Sequence, residues 1–310
     1  MELAAITAQQ VLALFILILA GFVAAKTGAL PQSGKKILTD LLMVLVMPSM
    51  LLDSFIREYD PSTFHNLMQS FGISALLLLT GFAVTFLCTC RMQSQDKHIL
   101  RVACMFANVG YMGIPLIRAL FGEEGVLYAS AFVAVFNFLL FSVGYAIVDR
   151  EIQAKDIVRS ILRNPCMIAI VCGLCLYLFR IPVPTILAQP LGMVGDMTTP
   201  LAMILTGMTI AGSSWEQLGK EKKSVLLTCG IRLVMIPLVT LLLCRALGFA
   251  GLVVTIALIQ EACPAAALTT VFAVKYHHNE DLAAGAVVIT TLLSILTLPL
   301  YTLLIQLVLG

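Results

Sequence analysis

Long apolar blocks alternate with short polar interruptions along the whole chain. Ten of them run over residues 6–25, 37–55, 67–89, 99–121, 126–148, 161–179, 187–211, 225–247, 252–274 and 282–309. Each is long enough to cross a bilayer, which takes about 20 apolar residues in a helix. The pattern predicts an all-α polytopic membrane protein of ten transmembrane helices. Two blocks carry residues that a continuous membrane helix disfavours: the fourth contains Ala107-Asn-Val-Gly-Tyr-Met-Gly-Ile-Pro115 and the ninth contains Gln260-Glu-Ala-Cys-Pro264. Gly113 is helix-destabilising, and Pro115 lacks an N–H and clashes with the preceding turn. Spans broken at their centre line solute cavities in transporters, because unwound backbone is tolerated there and nowhere facing lipid.

Composition agrees with this picture: 60% of the 310 residues are hydrophobic and 12% charged, with a mean hydropathy of +1.01. No soluble domain of this size buries so much apolar surface. The first block follows Glu2 rather than a basic stretch and lacks a cleavage site, so it reads as a span and not a removable signal. The net charge of +2 does not suggest nucleic acid, since the basic residues sit in short loops. Nine cysteines lie mostly inside apolar blocks without a metal-ligand spacing, and Cys172-x-x-Cys175 has no βαβ context, so they read as packing residues.

Charge then predicts orientation. Fourteen basic residues fall in or beside the odd-numbered loops, including Lys35, Arg150, Lys155, Arg159, Arg163 and Lys220. Only Arg57, Arg118, Arg180 and Arg245 fall on the other side, with Arg232 inside the eighth span. The positive-inside rule puts the odd loops in the cytoplasm and both termini outside. The halves also repeat: Gly21 and Gly173 are 152 apart, as are Pro48 and Pro200, and Pro115 and Pro264 are 149 apart. Five spans per half make the repeat inverted, over residues 1–148 and 161–310, with a polar linker at 149–160.

The candidate chemistry gathers at the two breaks. Half-helix ends near the midplane expose N–H groups that suit a carboxylate, and Pro115 and Pro264 are each expected in the first turn of a second half-helix. Asn108 can donate to a carboxylate or cap the freed backbone. Glu261, central in the ninth span, is read either as a proton- or cation-coupling group or as the structural partner of Arg232. Arg118 either holds a second solute carboxylate or snorkels to the outer interface. Asn137 and Gln260 are candidates to line the cavity or to bond between helices. The group His277-His278-Asn-Glu-Asp281 sits in a polar loop and reads as solvated rather than as a metal site.

Asn108-Val-Gly-Tyr-Met-Gly-Ile-Pro115 with Leu-Ile-Arg118 and Leu-Phe-Gly122 resembles the crossover helix of the auxin efflux carrier family, which holds plant PIN exporters and bacterial malate permeases. Val46-Met-Pro48-Ser-Met-Leu-Leu resembles the family's second helix. Gly195-Asp196, Pro200 and Leu205-Thr-Gly207-Met208 resemble its seventh, and Cys263-Pro264 through Phe272-Ala-Val-Lys-Tyr276 its ninth. The resemblance implies a fold similar to sodium/proton antiporters and bile-acid symporters. Spans 1, 2, 6 and 7 would form an often dimeric scaffold, spans 3–5 and 8–10 a transport domain, and broken helices 4 and 9 would cross within it. It further implies elevator-type movement and a substrate-binding role at Asn108. The long hydrophilic central loop of the plant exporters is missing, which points to a short bacterial type in an inner membrane.

The sequence therefore predicts a secondary transporter of mono- or dicarboxylates, malate-like or auxin-like, with no cofactor beyond a coupling H+ or Na+. A differently coupled carrier on the same fold and a transporter-like sensor are the alternatives. Antiporter-type paired aspartates do not flank either break. No H-E-x-x-H, paired intramembrane catalytic residues or P-loop argue for an enzyme or an ATP-driven pump.

Overall fold

The computed structural model describes residues 2–94, 96–148, 153–213 and 221–309. Arg150 and Lys220, which enter the charge pattern, and the first residues of the predicted linker lie outside them. Apart from one isolated antiparallel bridge, the regular structure among the described residues is helical. Five stretches are long and apolar enough to cross a membrane: Ala5–Lys26, Pro61–Thr89, Val109–Val148, Lys222–Ala246 and Glu280–Leu309. A sixth arises if Ala154–Arg163 and Pro165–Leu178, bent by 62° from one another, are one span. The remaining predicted blocks hold shorter helices.

In chain order the helices are α1 (Glu2–Lys26), α2 (Lys35–Leu41), α3 (Met47–Asp53), α4 (Pro61–Thr89), α5 (Lys97–Met105), α6 (Ile114–Leu139), α7 (Tyr145–Val148), α8 (Ala154–Arg163) and α9 (Pro165–Leu178). They continue as α10 (Thr185–Gly195), α11 (Thr198–Gly212), α12 (Lys222–Gly230), α13 (Ile236–Ala246), α14 (Leu252–Glu261), α15 (Leu268–Lys275) and α16 (Glu280–Leu309). Proline explains much of the punctuation. Wide π turns at Leu42–Val46, Val109–Gly113 and Ile231–Met235 lie immediately before helices with Pro48, Pro115 and Pro237 in their first turn. A proline ring clashes with the carbonyl four residues back and supplies no N–H to it. Widening the turn relieves the clash without ending the helix. Within α6 the chain turns sharply at Gly122, whose φ of 62° lies where only glycine sits without strain. This separates the residues that follow the first break from the predicted fifth span.

The linker and the sixth block differ from their predicted bounds. Within the polar linker a helix forms and runs on to Arg163, and the apolar helix of the sixth block starts at Pro165. Asn164 caps it by accepting the Met167 N–H (3.0 Å), and Pro165 occupies the first turn.

Contacts between helix ends divide the molecule into two faces. At one, Gln32 donates to the Met208 carbonyl (2.9 Å), Asn279 donates to Glu221 (3.0 Å), and the His278 ring lies 3.1 Å from the Val148 carbonyl. At the other, the Tyr177 hydroxyl donates to the Asp60 carbonyl (3.0 Å) and Arg180 stacks on Tyr59. The 29 residues of α4 run from one face to the other. Leu87, Ile186, Leu296 and Leu307 are exposed around the outside, as expected where the solvent is lipid.

Candidate functional site

The two breaks lie against one another. α5 stops at Met105 and α14 at Glu261, and the connectors that follow pair as a short antiparallel bridge at Ala107 and Ala265. The Asn108 N–H donates to the Pro264 carbonyl (2.7 Å), and the Ala266 N–H donates to the Phe106 carbonyl (2.8 Å). The Ala265 N–H donates to Thr290 Oγ1 on α16 (3.0 Å). Backbone groups that helices would have paired are thus satisfied inside the protein, which membrane depth requires. Pro264 is not in the first turn of a half-helix as its type and position predicted. α15 begins only at Leu268, and Pro264 lies in the connector, where its carbonyl serves the crossing. Pro115 does occupy the first turn of α6.

Asn108 joins the backbone to the cavity. Its Oδ1 accepts the Tyr111 N–H (3.3 Å), and its carbonyl accepts from Met112 (3.1 Å) and Gly113 (3.0 Å). It therefore caps the segment that becomes α6, while its side chain also borders the cavity. Gly113 lets the Gln260 side chain approach closely: a Cβ there would stand 1.9 Å from Gln260 Oε1, and the amide would have to move.

Behind the crossing sits Arg232, fully buried in the π turn before α13. Its Nε donates to the Cys263 carbonyl (3.1 Å) and its Nη1 to the Cys104 carbonyl (2.9 Å), while Nη2 meets Glu261 Oε1 (3.2 Å). One guanidinium thus satisfies carbonyls at the C-terminal ends of both α5 and α14, where the helix dipoles favour a cation. The structural pairing of Glu261 with Arg232 is the arrangement found. Glu261 Oε2 and both side-chain heteroatoms of Gln260 are buried with no hydrogen-bond partner among the described residues.

A cavity of about 240 Å³ opens beside the crossing. Asn108, Tyr111, Asn137, Asn164, Thr209 and Thr270 contribute polar groups to its wall, and Met43, Met47, Phe136, Phe141, Leu205 and Val271 line the apolar part. Lys35, at the start of α2, is the one Lys, Arg, His, Asp or Glu among the described lining residues. A second recess lined by Gln32, Lys35, Ser213, Glu280 and Asp281 shares Lys35, Thr209 and Thr270 with the first. The cavity therefore continues toward the face where the basic loops gather.

Of the predicted site residues, Asn108 and Asn137 border the cavity. Gly113, Pro115 and Pro264 build the crossing without lining it, and Gln260, Glu261 and Arg232 stand behind it. Arg118 neither lines the cavity nor snorkels freely. It bonds Glu123 (2.8 Å) and Asp196 (2.5 Å), joining α6 to the joint between α10 and α11. Lys35, Tyr111, Asn164, Thr209 and Thr270 were not singled out from sequence. They come from helix ends and from blocks expected to be frame, so apolar pattern gave them no signal, although Tyr111 sits in the first break motif. The histidine loop forms no group of metal ligands among the described residues.

A family described as membrane transport protein matches residues 6–302. Among known proteins, an uncharacterized transporter of Methanothermobacter thermautotrophicus is 25% identical over 95% of this chain and 97% of its own length. One from Methanocaldococcus jannaschii is 23% identical over 94% and 96%. The auxin efflux carrier component 1 of Arabidopsis thaliana is 26% identical over 47% of this chain and 24% of its own.

Proposed function

The chain belongs to the membrane transport protein family, and from that premise we propose that it is a secondary transporter of small organic anions working by alternating access. The observation that carries this is the cavity at the crossing, with one cation, Lys35, the amides of Asn108, Asn137 and Asn164, and an apolar wall. A single positive charge matches a single carboxylate, and the apolar wall matches the body of the acid. This favours a monocarboxylate over a malate-like dicarboxylate, whose second charge would be desolvated without a partner. The similarity to a plant carrier named for auxin efflux leans the same way.

The movement we propose is that of an elevator in a protein of ten spans arranged as two inverted repeats, with the broken spans 4 and 9 carried past a frame of spans 1, 2, 6 and 7. Two observations support it. The cavity runs toward the basic-loop face, and the Arg118–Asp196 ion pair ties the proposed moving part to the proposed frame on the opposite face. With the basic loops cytoplasmic and the termini outside, this is an inward-open state whose outer side is latched. A bacterial inner membrane and a dimer joined through the frame complete the proposal.

A second reading, coupling to a proton or sodium ion, is favoured by the partnerless Glu261 Oε2 and Gln260 amide behind the cavity. Both readings are tested by the heat stability of the purified protein against a panel of mono- and dicarboxylates, with sodium and pH varied separately. Ligand binding raises apparent stability by mass action. Apolar monocarboxylates should raise the melting temperature and dicarboxylates should not. A response to sodium or pH alone, with no carboxylate effective, would leave an ion carrier in place of the anion carrier.

A further inference from the structure

The helix α8, joining the two halves, has no role in the cavity. Its ten residues, Ala154-Lys-Asp-Ile-Val-Arg-Ser-Ile-Leu-Arg163, divide cleanly around the helix axis at 100° per residue. Ile157 and Ile161 are half-buried against the protein. Val158 and Leu162 are turned outward, 53% and 69% exposed, although the helix is amphipathic and could have hidden them. Lys155, Arg159 and Arg163 follow at four-residue spacing, so they form one stripe beside the two exposed aliphatic side chains. Together with Ala154 these five residues form a continuous open patch. None of the three cations is in an ion pair among the described residues, and Asp156 neutralises none of them by contact.

We propose that this patch is a binding surface for anionic phospholipid headgroups at the membrane interface. The stripe of cations matches lipid phosphates, and Val158 and Leu162 match the first carbons of the acyl chains below them. A water-soluble acidic partner would take the cations and leave both aliphatic side chains wet. Position agrees as well. α8 runs directly into the apolar α9 at Asn164 but is bent from it by 62°, so it cannot continue α9 as a straight rod through the bilayer. It is also on the face where the basic loops gather, as the His278 contact to Val148 just before the linker indicates.

The test uses the full-length protein in detergent, titrated with phosphatidylglycerol, phosphatidylcholine or inorganic phosphate, reading the melting temperature and the lipids retained in native mass spectra. The comparison variants are Lys155→Gln/Arg159→Gln/Arg163→Gln and, as a control of charge loss on the opposite face, Arg57→Gln/Arg180→Gln. The wild type and the control should prefer phosphatidylglycerol over phosphatidylcholine, and the triple variant should lose that preference by at least about tenfold, since each basic residue near an anionic surface contributes roughly fivefold. Equal retention of both lipids by the wild type would overturn the proposal, as would a triple variant that keeps the preference. A stabilisation reproduced by inorganic phosphate alone would reduce the patch to a free-phosphate site. If the triple variant does not fold, Val158→Cys in a chain whose exposed Cys88, Cys90, Cys172 and Cys175 are replaced by serine, carrying an environment-sensitive dye, gives an independent reading. Its emission should shift to the blue in anionic vesicles, and an unshifted, water-like emission refutes the interfacial position.

Discussion

Replacing Arg232 by methionine would strip partners from the Cys104 and Cys263 carbonyls and leave the Glu261 carboxylate buried beside an apolar side chain. Breaking a buried pair by removing one member costs about 3–5 kcal/mol, chiefly because the other charge is stranded. Both Arg232→Met and Glu261→Gln should lower thermal stability, the former more, because after Glu261→Gln the guanidinium keeps the Cys104 and Cys263 carbonyls as acceptors and has a neutral amide within reach. Arg232→Lys should fall between, because a lysine keeps the charge but cannot fork to three acceptor groups. Melting temperatures equal to that of the wild type in all three would show that the clamp contributes nothing. At the cavity, Lys35→Gln should weaken carboxylate binding roughly tenfold or more, as loss of a charged hydrogen-bond partner typically costs about 1.5–3 kcal/mol. Its folding should be unchanged, because Lys35 makes none of the crossing's contacts. Asn108 was legible because an amide inside an apolar block is conspicuous. Lys35 was not, since a lysine just outside such a block looks like any loop charge until the fold turns it toward the crossing.

Among the elements, the breaks were legible because glycine, amide and proline interrupt apolar runs. What occupied the gap was not. The bridge between Ala107 and Ala265 depends on two segments 158 residues apart, and no local pattern encodes such a pairing. The helix boundary inside the sixth block has a local cause. Ile161 and Leu162 are apolar and adjoin the block, yet they belong to α8. Asn164-Pro165, a cap followed by a first-turn proline, was the available boundary signal. Gly113 carries an element-scale prediction. An added Cβ would collide with Gln260, so Gly113→Ala should cost about 1–3 kcal/mol through overpacking of the π turn before α6 against α14. Gly113→Ala combined with Gln260→Ala should recover part of that loss, and a thermal melt of the pair decides it.

For the molecule as a whole, the cavity is continuous with the basic-loop face, while Arg118, Glu123 and Asp196 hold the other face together. These side chains are partly exposed, and ion pairs of that kind are worth only about 0.2–1 kcal/mol. For the proposed movement, such a tie is strong enough to bias two conformations and weak enough to break in each cycle. Asp196→Asn should change the rate of solute exchange by a few-fold and increase labelling of a cysteine introduced near Arg118, with affinity at the cavity nearly unchanged. The most direct measurement of the central claim is exchange of a labelled apolar monocarboxylate across proteoliposomes loaded with the unlabelled acid. Exchange by the wild type, its loss in a folded Asn108→Ala, and no competition from a dicarboxylate are the results predicted. Exchange that survives Asn108→Ala and Lys35→Gln undiminished would contradict the account, because the solute would then be passing somewhere other than the crossing.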